Sequence, residues 1–132
     1  MQITGMLYGS QLLKHVDFPA TEVLGPGASE DEIQDLIDRH KLIFIKPVFK
    51  GGVGKKGKSG LIGKARDLKT ALQEKERLYF VEHRHGNVRA KANGVTFEAG
   101  VPSDHEVYFA VNDSTEFRAP AMTLTHMGGI EI

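Results

Sequence analysis

The stretch KLIFIKPVFKGGVGKKGKSGLIGKAR, which spans Lys41–Arg66, is the most distinctive part of the chain. It consists of a short apolar run, a loop of glycine and lysine, and a second short apolar run. It carries eight basic residues and no Asp or Glu, although the whole chain has 17 basic and 17 acidic side chains. Glycine lets backbone N–H groups approach an anion closely, and lysine adds positive charge beside them. The stretch therefore predicts a phosphate-binding loop, with a mobile, solvated basic loop as the alternative.

Composition narrows the class of protein. A chain of 132 residues is one domain or part of one. The absence of cysteine excludes disulfides, thiolate nucleophiles and cysteine-based zinc sites. The zero net charge gives no reason to expect general nucleic-acid binding. No apolar run approaches ~18 residues, and the N-terminus lacks the pattern of a secretory signal, so we expect a cytoplasmic protein that does not bind membranes.

The residues before the basic stretch predict two helices and a short strand. Apolar spacing indicates a helix over residues 10–16, and Ala20–Leu24 is typical of a short strand. Ser29 and Glu32 match the S-x-x-E capping box, which predicts a helix over residues 30–40.

The rest of the chain predicts mostly β-structure. Apolar runs predict strands over residues 42–45, 61–62, 78–82, 95–97, 106–112 and 119–125, with turns at 86–87, 93–94 and 112–114. Pro47 is expected to end the first of these strands or to lie at a sheet edge, and Asp67 is expected to cap a helix that reaches about Lys75. We therefore predict an α+β fold with a mixed or antiparallel sheet and helices packed on one face. It forms a single domain, 1–132, in which 1–40 hold the N-terminal helices and short strand and 41–132 hold the loop, a helix and a hairpin.

Gly52–Ser59 formally matches the P-loop pattern GxxxxGK[ST]. A P-loop follows a strand directly and opens a helix whose N-terminus binds the phosphate. Here six residues separate the predicted strand from Gly52, and the glycines at 60 and 63 are poor helix formers. The sequence disfavours a P-loop, and a helix beginning at Lys58 would restore that alternative.

The other interpretation is a flap, in which two strands carry the glycine-lysine loop over the phosphates of a nucleotide. Lys46, on the strand before the loop, would supply a fixed ammonium group. The bend over residues 98–102 would be a hinge, where backbone N–H and C=O groups pair with the edge of an adenine ring.

Four segments carry a resemblance to a known family. They are Ile43–Pro47, Lys55–Gly63, Val95–Phe109 and Gly128–Ile132, in that order. The chain resembles the N-terminal ATP-grasp region of ATP-citrate lyase and, more broadly, the β subunits of succinyl-CoA synthetase-like ligases. The similarity covers about residues 41–132 and implies the N-terminal lobe of an ATP-grasp fold, which binds ATP between two lobes.

The resemblance also implies which residues bind the nucleotide. Lys46 matches the family's strand lysine, and Glu106 matches an acid that lines the nucleotide pocket. The basic phosphate loop corresponds to Lys55, Lys56 and Gly57, with Lys58 at the same tip. The adenine hinge corresponds to Glu98, Ala99, Gly100 and Val101. No catalytic residue and no metal ligand is expected among the residues of this chain.

The resemblance implies a sequence of phosphoryl and acyl transfers in the whole enzyme. ATP phosphorylates a histidine, the phosphoryl group passes to a carboxylate, and CoA attacks the resulting acyl phosphate. Citrate lyases then cleave citryl-CoA to acetyl-CoA and oxaloacetate. The ligands of Mg²⁺, the phosphohistidine, and the CoA and citrate sites are expected in the remainder of the ligase or in a partner subunit. We therefore expect a chain truncated at residue 132 and inactive alone.

Some features depart from the family, and one alternative stays open. Lys55 and Lys56 stand where the family usually has arginine, so bidentate phosphate contacts are lost. The alternative is a module that binds RNA or another polyanion through the basic loop, although the loop has no aromatic residue for base stacking. Surface or turn positions are expected for His83, His85, His105 and His126. Arg84 and Arg89 join the first two in a basic patch typical of a solvated hairpin.

Overall fold

The computed structural model describes residues 22–50 and 60–126. The chain divides into two compact units, Met1–Val101 and Pro102–Ile132. The first unit contains, in order, β1 (Val23–Leu24), α1 (Glu30–His40), β2 (Ile43–Phe49), β3 (Gly63–Ala65), α2 (Leu68–Tyr79), β4 (Glu82–His85) and β5 (Val88–Ala99). The second contains β6 (Tyr108–Ser114) and β7 (Ala119–Thr125). The helix predicted over residues 10–16 and the loop over 51–59 lie outside the described residues.

The strands of the first unit form one five-stranded antiparallel sheet. Its order is β1-β5-β2-β3, and β4 pairs with the other half of β5. The long strand β5 therefore contacts three other strands, and β2 lies beside it with Ile45 opposite Phe97. The predicted α+β class is confirmed.

Both helices pack on one face of this sheet. Along β2 the side chains of Ile43, Ile45 and Phe49 are buried, whereas Phe44 and Lys46, between them, are half-buried. This alternation is the period of two that a strand imposes. The buried face contacts Ile33, Leu36 and Ile37 of α1 and Ala71 and Leu78 of α2 in one apolar core. The opposite face is the one that carries Lys46.

Helix α1 has the bounds and the cap that the sequence predicts. The side chain of Ser29 accepts a hydrogen bond from the Glu32 N–H at 3.2 Å, and Glu32 Oε2 accepts one from the Ser29 N–H at 2.8 Å. The pKa of Glu32 is lowered by two hydrogen bonds from Ser29, of which the one from the N–H has the larger effect and the one from the hydroxyl the smaller. Lys41 ends the helix in the left-handed region at φ 62°.

Helix α2 is longer than predicted. Asp67 caps it as expected, by accepting a hydrogen bond from the Thr70 N–H at 2.8 Å, but it continues to Tyr79. The strand predicted over 78–82 is therefore wrong, and β4 begins at Glu82. The reason is that Leu78 lies two turns after Ala71 on the same helix face, where both are fully buried.

Pro47 does not end β2 but lies within it, at a position that is an edge toward β3 among the described residues, which is the second of the two expectations. Its N atom cannot donate a ladder hydrogen bond, so proline is tolerated only where the strand lacks a partner on that side. The strand β3 pairs with residues 43–45 only, so among the described residues β2 has no β3 partner at Pro47. The second strand of the flap is also displaced, since β3 covers Gly63–Ala65 rather than Leu61-Ile62.

The predicted turn at Asn93-Gly94 is instead a bulge inside β5. Gly94 has φ 121°, and the register between β2 and β5 shifts between Pro47 and Phe49. A bulge inserts one extra residue and changes which side chains face the core. The predicted strand over 95–97 is thus part of a strand of 12 residues. The turn at Gly86-Asn87 is confirmed.

His83 is not a surface residue. It is 8% exposed, and its ring lies 6.2 Å from the ring of Phe49, between centroids. Its Nε2 atom is buried and has no hydrogen-bond partner among residues 22–50 and 60–126. The expectation of a surface or turn position for His83 is therefore wrong.

The second unit is a two-stranded antiparallel hairpin. Its return strand has the predicted bounds, but Asn112–Ser114 belong to β6 and the turn occupies residues 115–118. The Phe117 N–H donates to Ser114 Oγ at 3.2 Å within this turn, and Arg118 adopts φ 49°. None of the described helices in either unit is long and apolar enough to cross a membrane.

Candidate functional site

Lys46 and Glu98 meet on the sheet face opposite the one that contacts helices α1 and α2. Lys46 lies on β2 opposite Thr96, and Glu98 lies on β5 opposite Phe44, so all four residues share one face. Lys46 Nζ donates to Glu98 Oε2 at 2.5 Å. The strand before the loop is thus in direct contact with the start of the 98–101 bend. The sequence predicts that both belong to one site.

The carboxylate of Glu98 is fully engaged inside the protein. It is 5% exposed, and its second oxygen accepts a hydrogen bond from Thr96 Oγ1 at 3.0 Å. A buried carboxylate is strongly unfavourable unless it is paired and hydrogen-bonded, and both conditions hold here. The Lys46 side chain is 34% exposed, so its ammonium group remains reachable from solvent while Glu98 fixes its position.

Lys64 adds a second cation to the same face. It lies on β3 opposite Phe44, and its Nζ is 5.6 Å from the centre of the Phe44 ring. A cation over an aromatic face is weakly stabilised there while its other side stays hydrated. Thr96 and Lys64 were not among the predicted site residues. The period of two from Glu98 would have identified Thr96, whereas only the register of β3 identifies Lys64.

Two backbone N–H groups of the 98–101 bend already donate hydrogen bonds within the protein. The Ala99 N–H donates to the carbonyl of Glu22 at 3.0 Å, and the Gly100 N–H donates to the carbonyl of Leu42 at 2.8 Å. The Val101 N–H makes no hydrogen bond to any residue in the described part of the chain. Of these three donors, only Val101 is available to a ligand, and its side chain is exposed.

Glu22 connects this bend to the end of helix α1. Its carboxylate accepts hydrogen bonds from Arg39 and, at 2.8 Å, from His40 Nε2. These bonds lower the pKa of Glu22, and the bond from Arg39 has a larger effect than the bond from His40. These contacts hold the segment that binds the Ala99 N–H against the helix.

A cavity of about 370 Å³ lies where β3 runs into α2. It is adjacent to the bend, because Leu42 both lines it and accepts the Gly100 hydrogen bond. Its lining carries two cations and one capping carboxylate and consists of Leu42, Lys64, Ala65, Arg66, Asp67 and Thr70. The pKa of Asp67 is lowered mainly by the hydrogen bond from the Thr70 N–H and next by the hydrogen bond from the Thr70 hydroxyl. This acid is therefore already used by the helix cap.

The remaining predicted residues fall outside the described part of the first unit. Lys55, Lys56, Gly57 and Lys58 lie outside the described residues. Glu106 lies in the second unit, two residues before β6, and is exposed. Over residues 22–50 and 60–126, no three His, Asp or Glu side chains are grouped so that they could hold a metal ion.

The P-loop alternative conflicts with the described structure. A helix opening at Lys58 would continue through the following turns, but residues 63–65 form strand β3 and the next helix begins at Leu68. The basic loop therefore connects two antiparallel strands, as the flap interpretation requires.

The chain matches no model of a known protein family, and no curated protein is significantly similar to it.

Proposed function

We propose that this chain is the ATP-binding lobe of an ATP-dependent acid–CoA ligase similar to ATP-citrate lyase, with a succinyl-CoA synthetase-like β subunit as the nearest alternative. The contact between Lys46 and Glu98 carries this proposal. It joins a lysine that precedes a basic loop to the start of a backbone bend, within one unit. An ATP-grasp N-terminal lobe needs both elements at one site.

The role proposed for Lys46 is to neutralise phosphate charge. In phosphoryl transfer the protein mainly positions the nucleotide and offsets its charge. Glu98 orients the Lys46 ammonium, whose exposed side donates a hydrogen bond to a phosphate oxygen. Lys55, Lys56 and Lys58, at the tip of the loop, would add contacts to the outer phosphates. Mg²⁺ would neutralise further phosphate charge and would be held by ligands outside this chain.

The role proposed for the bend is to bind the edge of the adenine ring. Because the Ala99 and Gly100 amides are already bonded, the Val101 N–H is the donor that we assign to adenine. From the resemblance, Glu106 is proposed to line a nucleotide pocket.

The second unit is proposed to contact the remainder of the ligase. Phe109 lies opposite Leu124, and Val111 lies opposite Met122, so four apolar side chains share one face of the hairpin. Each is between 58% and 71% exposed. A two-stranded hairpin is marginal in water unless further strands or helices cover an apolar face. We assign this face to the polypeptide that carries the CoA, citrate and phosphohistidine sites.

The test is a titration of the chain with ATP, adenosine and inorganic triphosphate, followed by amide shifts in ¹H–¹⁵N spectra. We expect millimolar ATP affinity and no turnover, because half of the cleft belongs to other polypeptide. Lys46→Met should weaken ATP and triphosphate binding about tenfold, since one charge-assisted hydrogen bond contributes roughly 1.5 kcal/mol. It should leave adenosine binding unchanged.

Lys69→Met is the matched control, because Lys69 is an exposed lysine on helix α2. Equal effects of the two substitutions would contradict the assignment of Lys46. Tighter binding of a single-stranded oligonucleotide than of ATP, with steep salt dependence, would replace the proposal with the polyanion-binding alternative. Turnover of ATP by this chain alone would contradict the proposal that it is only one lobe.

A further inference from the structure

Arg84 and Arg89 form a like-charged pair across two strands. The tight turn at Gly86-Asn87 fixes the register of β4 and β5, so Arg84 lies directly opposite Arg89. Directly opposed residues of antiparallel strands have their Cβ atoms about 5 Å apart and point to the same face. That face is opposite the one on which His83 is buried.

Neither guanidinium group has an acidic partner among residues 22–50 and 60–126. Arg84 donates from Nε to the carbonyl of Gly86 at 3.3 Å, which anchors its side chain and leaves its two terminal nitrogens unengaged. Arg89 is exposed and makes no side-chain hydrogen bond or ion pair with these residues. The nearest rung on this face is Glu82 opposite Lys91.

Lys91 makes the face more basic. Its Nζ lies 5.8 Å from the centre of the Phe80 ring, and no ion pair joins it to Glu82 or to another acid in the described part of the chain. The face therefore carries Arg84, Arg89 and Lys91 against one acid. Like charges placed directly opposite each other in a sheet destabilise it, and a bound anion would remove that repulsion.

We propose that the Arg84–Arg89 pair binds the phosphate group of a small phosphorylated molecule. Two guanidinium forks on neighbouring strands can each donate two N–H groups to the oxygens of one phosphate dianion. A carboxylate offers fewer oxygens and one negative charge, so phosphate is the better match. Lys91 supplies a further positive charge on the same face.

This site is separate from the one around Lys46. Arg89 and Glu98 lie on the same strand, nine residues apart, which corresponds to about 30 Å along an extended strand. One phosphate group bound at the arginine pair therefore cannot also contact Lys46. Binding at the pair can succeed or fail whatever happens at the ATP site.

The test is a titration of the whole chain with inorganic phosphate and pyrophosphate at low salt, read from the amide shifts of residues 82–91 and from the melting temperature. We expect both anions to raise the melting temperature of the wild-type chain. Arg84→Gln and Arg89→Gln should each weaken phosphate binding about tenfold, while Lys69→Gln changes it less than about twofold. Arg84→Lys/Arg89→Lys should restore only part of the affinity, because lysine is a point charge.

A second readout separates binding from a structural role. Without phosphate, Arg89→Gln should raise the melting temperature, because it removes the repulsion, whereas loss of a structural contact would lower it. An unchanged phosphate response in both arginine variants would overturn the proposal. Equal binding of sulfate, with no gain for pyrophosphate or a sugar phosphate, would indicate an adventitious ion only. Tighter binding of a single-stranded oligonucleotide through the same amides would overturn the assignment to a small molecule.

Discussion

The amide of Gly100 donates to the carbonyl oxygen of Leu42 at 2.8 Å, and a Cβ atom built on Gly100 would lie 2.8 Å from that same oxygen. No real Cβ makes so close a contact with backbone, so this position requires glycine for close approach. The contact joins the end of β5 to the residue before β2. It therefore fixes the bend to which we assign adenine binding.

Gly100→Ala should consequently destabilise the first unit. The added methyl group must push apart two backbone segments, and overpacking of this kind costs about 1–3 kcal/mol. Urea denaturation measures the change in the free energy of unfolding. Gly27→Ala is the control, since nothing lies within 4 Å of its added Cβ. If both variants were equally stable, the tight contact between Gly100 and Leu42 would be disproved.

A second prediction concerns the pair formed by Lys46 and Glu98. In a double-mutant cycle, Lys46→Met and Glu98→Gln should each destabilise the protein, and the double variant should lose less than the sum. The coupling free energy should be about 1 kcal/mol, because Lys46 is partly exposed and solvent screens the charge. Each variant is measured by urea denaturation at neutral pH.

Thr96→Val separates the second hydrogen bond of Glu98 from the first. It keeps the shape of the side chain and removes the hydroxyl that Glu98 Oε1 accepts from. We expect it to destabilise the protein in the presence of Glu98 and to have a smaller effect in the Glu98→Gln variant. An additive result would show that Thr96 and Glu98 do not interact.

A third prediction is a loss of stability in acid. The pKa values of Glu22, Glu32 and Asp67 are all lowered in the folded protein. Their contribution is therefore present above the ordinary carboxyl pKa of about 4 and is lost as the pH falls through the lowered folded values. The free energy of unfolding, measured between pH 7 and pH 3, should fall on acidification.

Asp67→Asn tests the part of this effect that comes from the cap of α2. Asparagine caps a helix well but does not titrate in this range. The variant should be less stable than wild type at pH 7, and the difference should shrink toward pH 3. A difference that does not change with pH would mean that the Asp67 charge contributes nothing.

A fourth prediction concerns the apolar face of the hairpin. Met122→Lys and Leu124→Lys should each reduce the binding of an apolar dye. Their free energies of unfolding should stay within about 0.5 kcal/mol of wild type, because both side chains are largely exposed. Thr123→Lys, on the other face opposite Ala110, should leave dye binding unchanged. A large loss of stability in Leu124→Lys would show that this side chain is packed.

The features that were predicted correctly from the sequence are those whose controlling contacts are local. The cap of α1 depends on Ser29 and Glu32, three residues apart, and the turn at Gly86-Asn87 depends on its own two residues. Lys46 and the bend that begins at Glu98 were predicted to share one site, and the structure places these two side chains in contact from positions 52 residues apart. The direct pairing of the side chains was not predicted, because no local pattern relates two such distant residues.

The errors occur where a distant partner decides the outcome. Leu78 remains helical because its position on the helix is fully buried in the core. Gly94 continues a strand as a bulge instead of ending it. Each depends on what lies beside the residue in space, which a single sequence does not contain.

By itself, the sequence determined the α+β class, the capped helix α1, the antiparallel return strand β7 and the basic loop between two strands, because composition, caps and alternation act over a few residues. Only the tertiary structure decided the strand order, the register that sets Lys46 opposite Thr96, and the commitment of the Ala99 and Gly100 amides to internal bonds. It also placed Arg84 opposite Arg89. Sheet pairing joins residues that are far apart in the chain, and one residue of shift would turn each of these side chains to the other face.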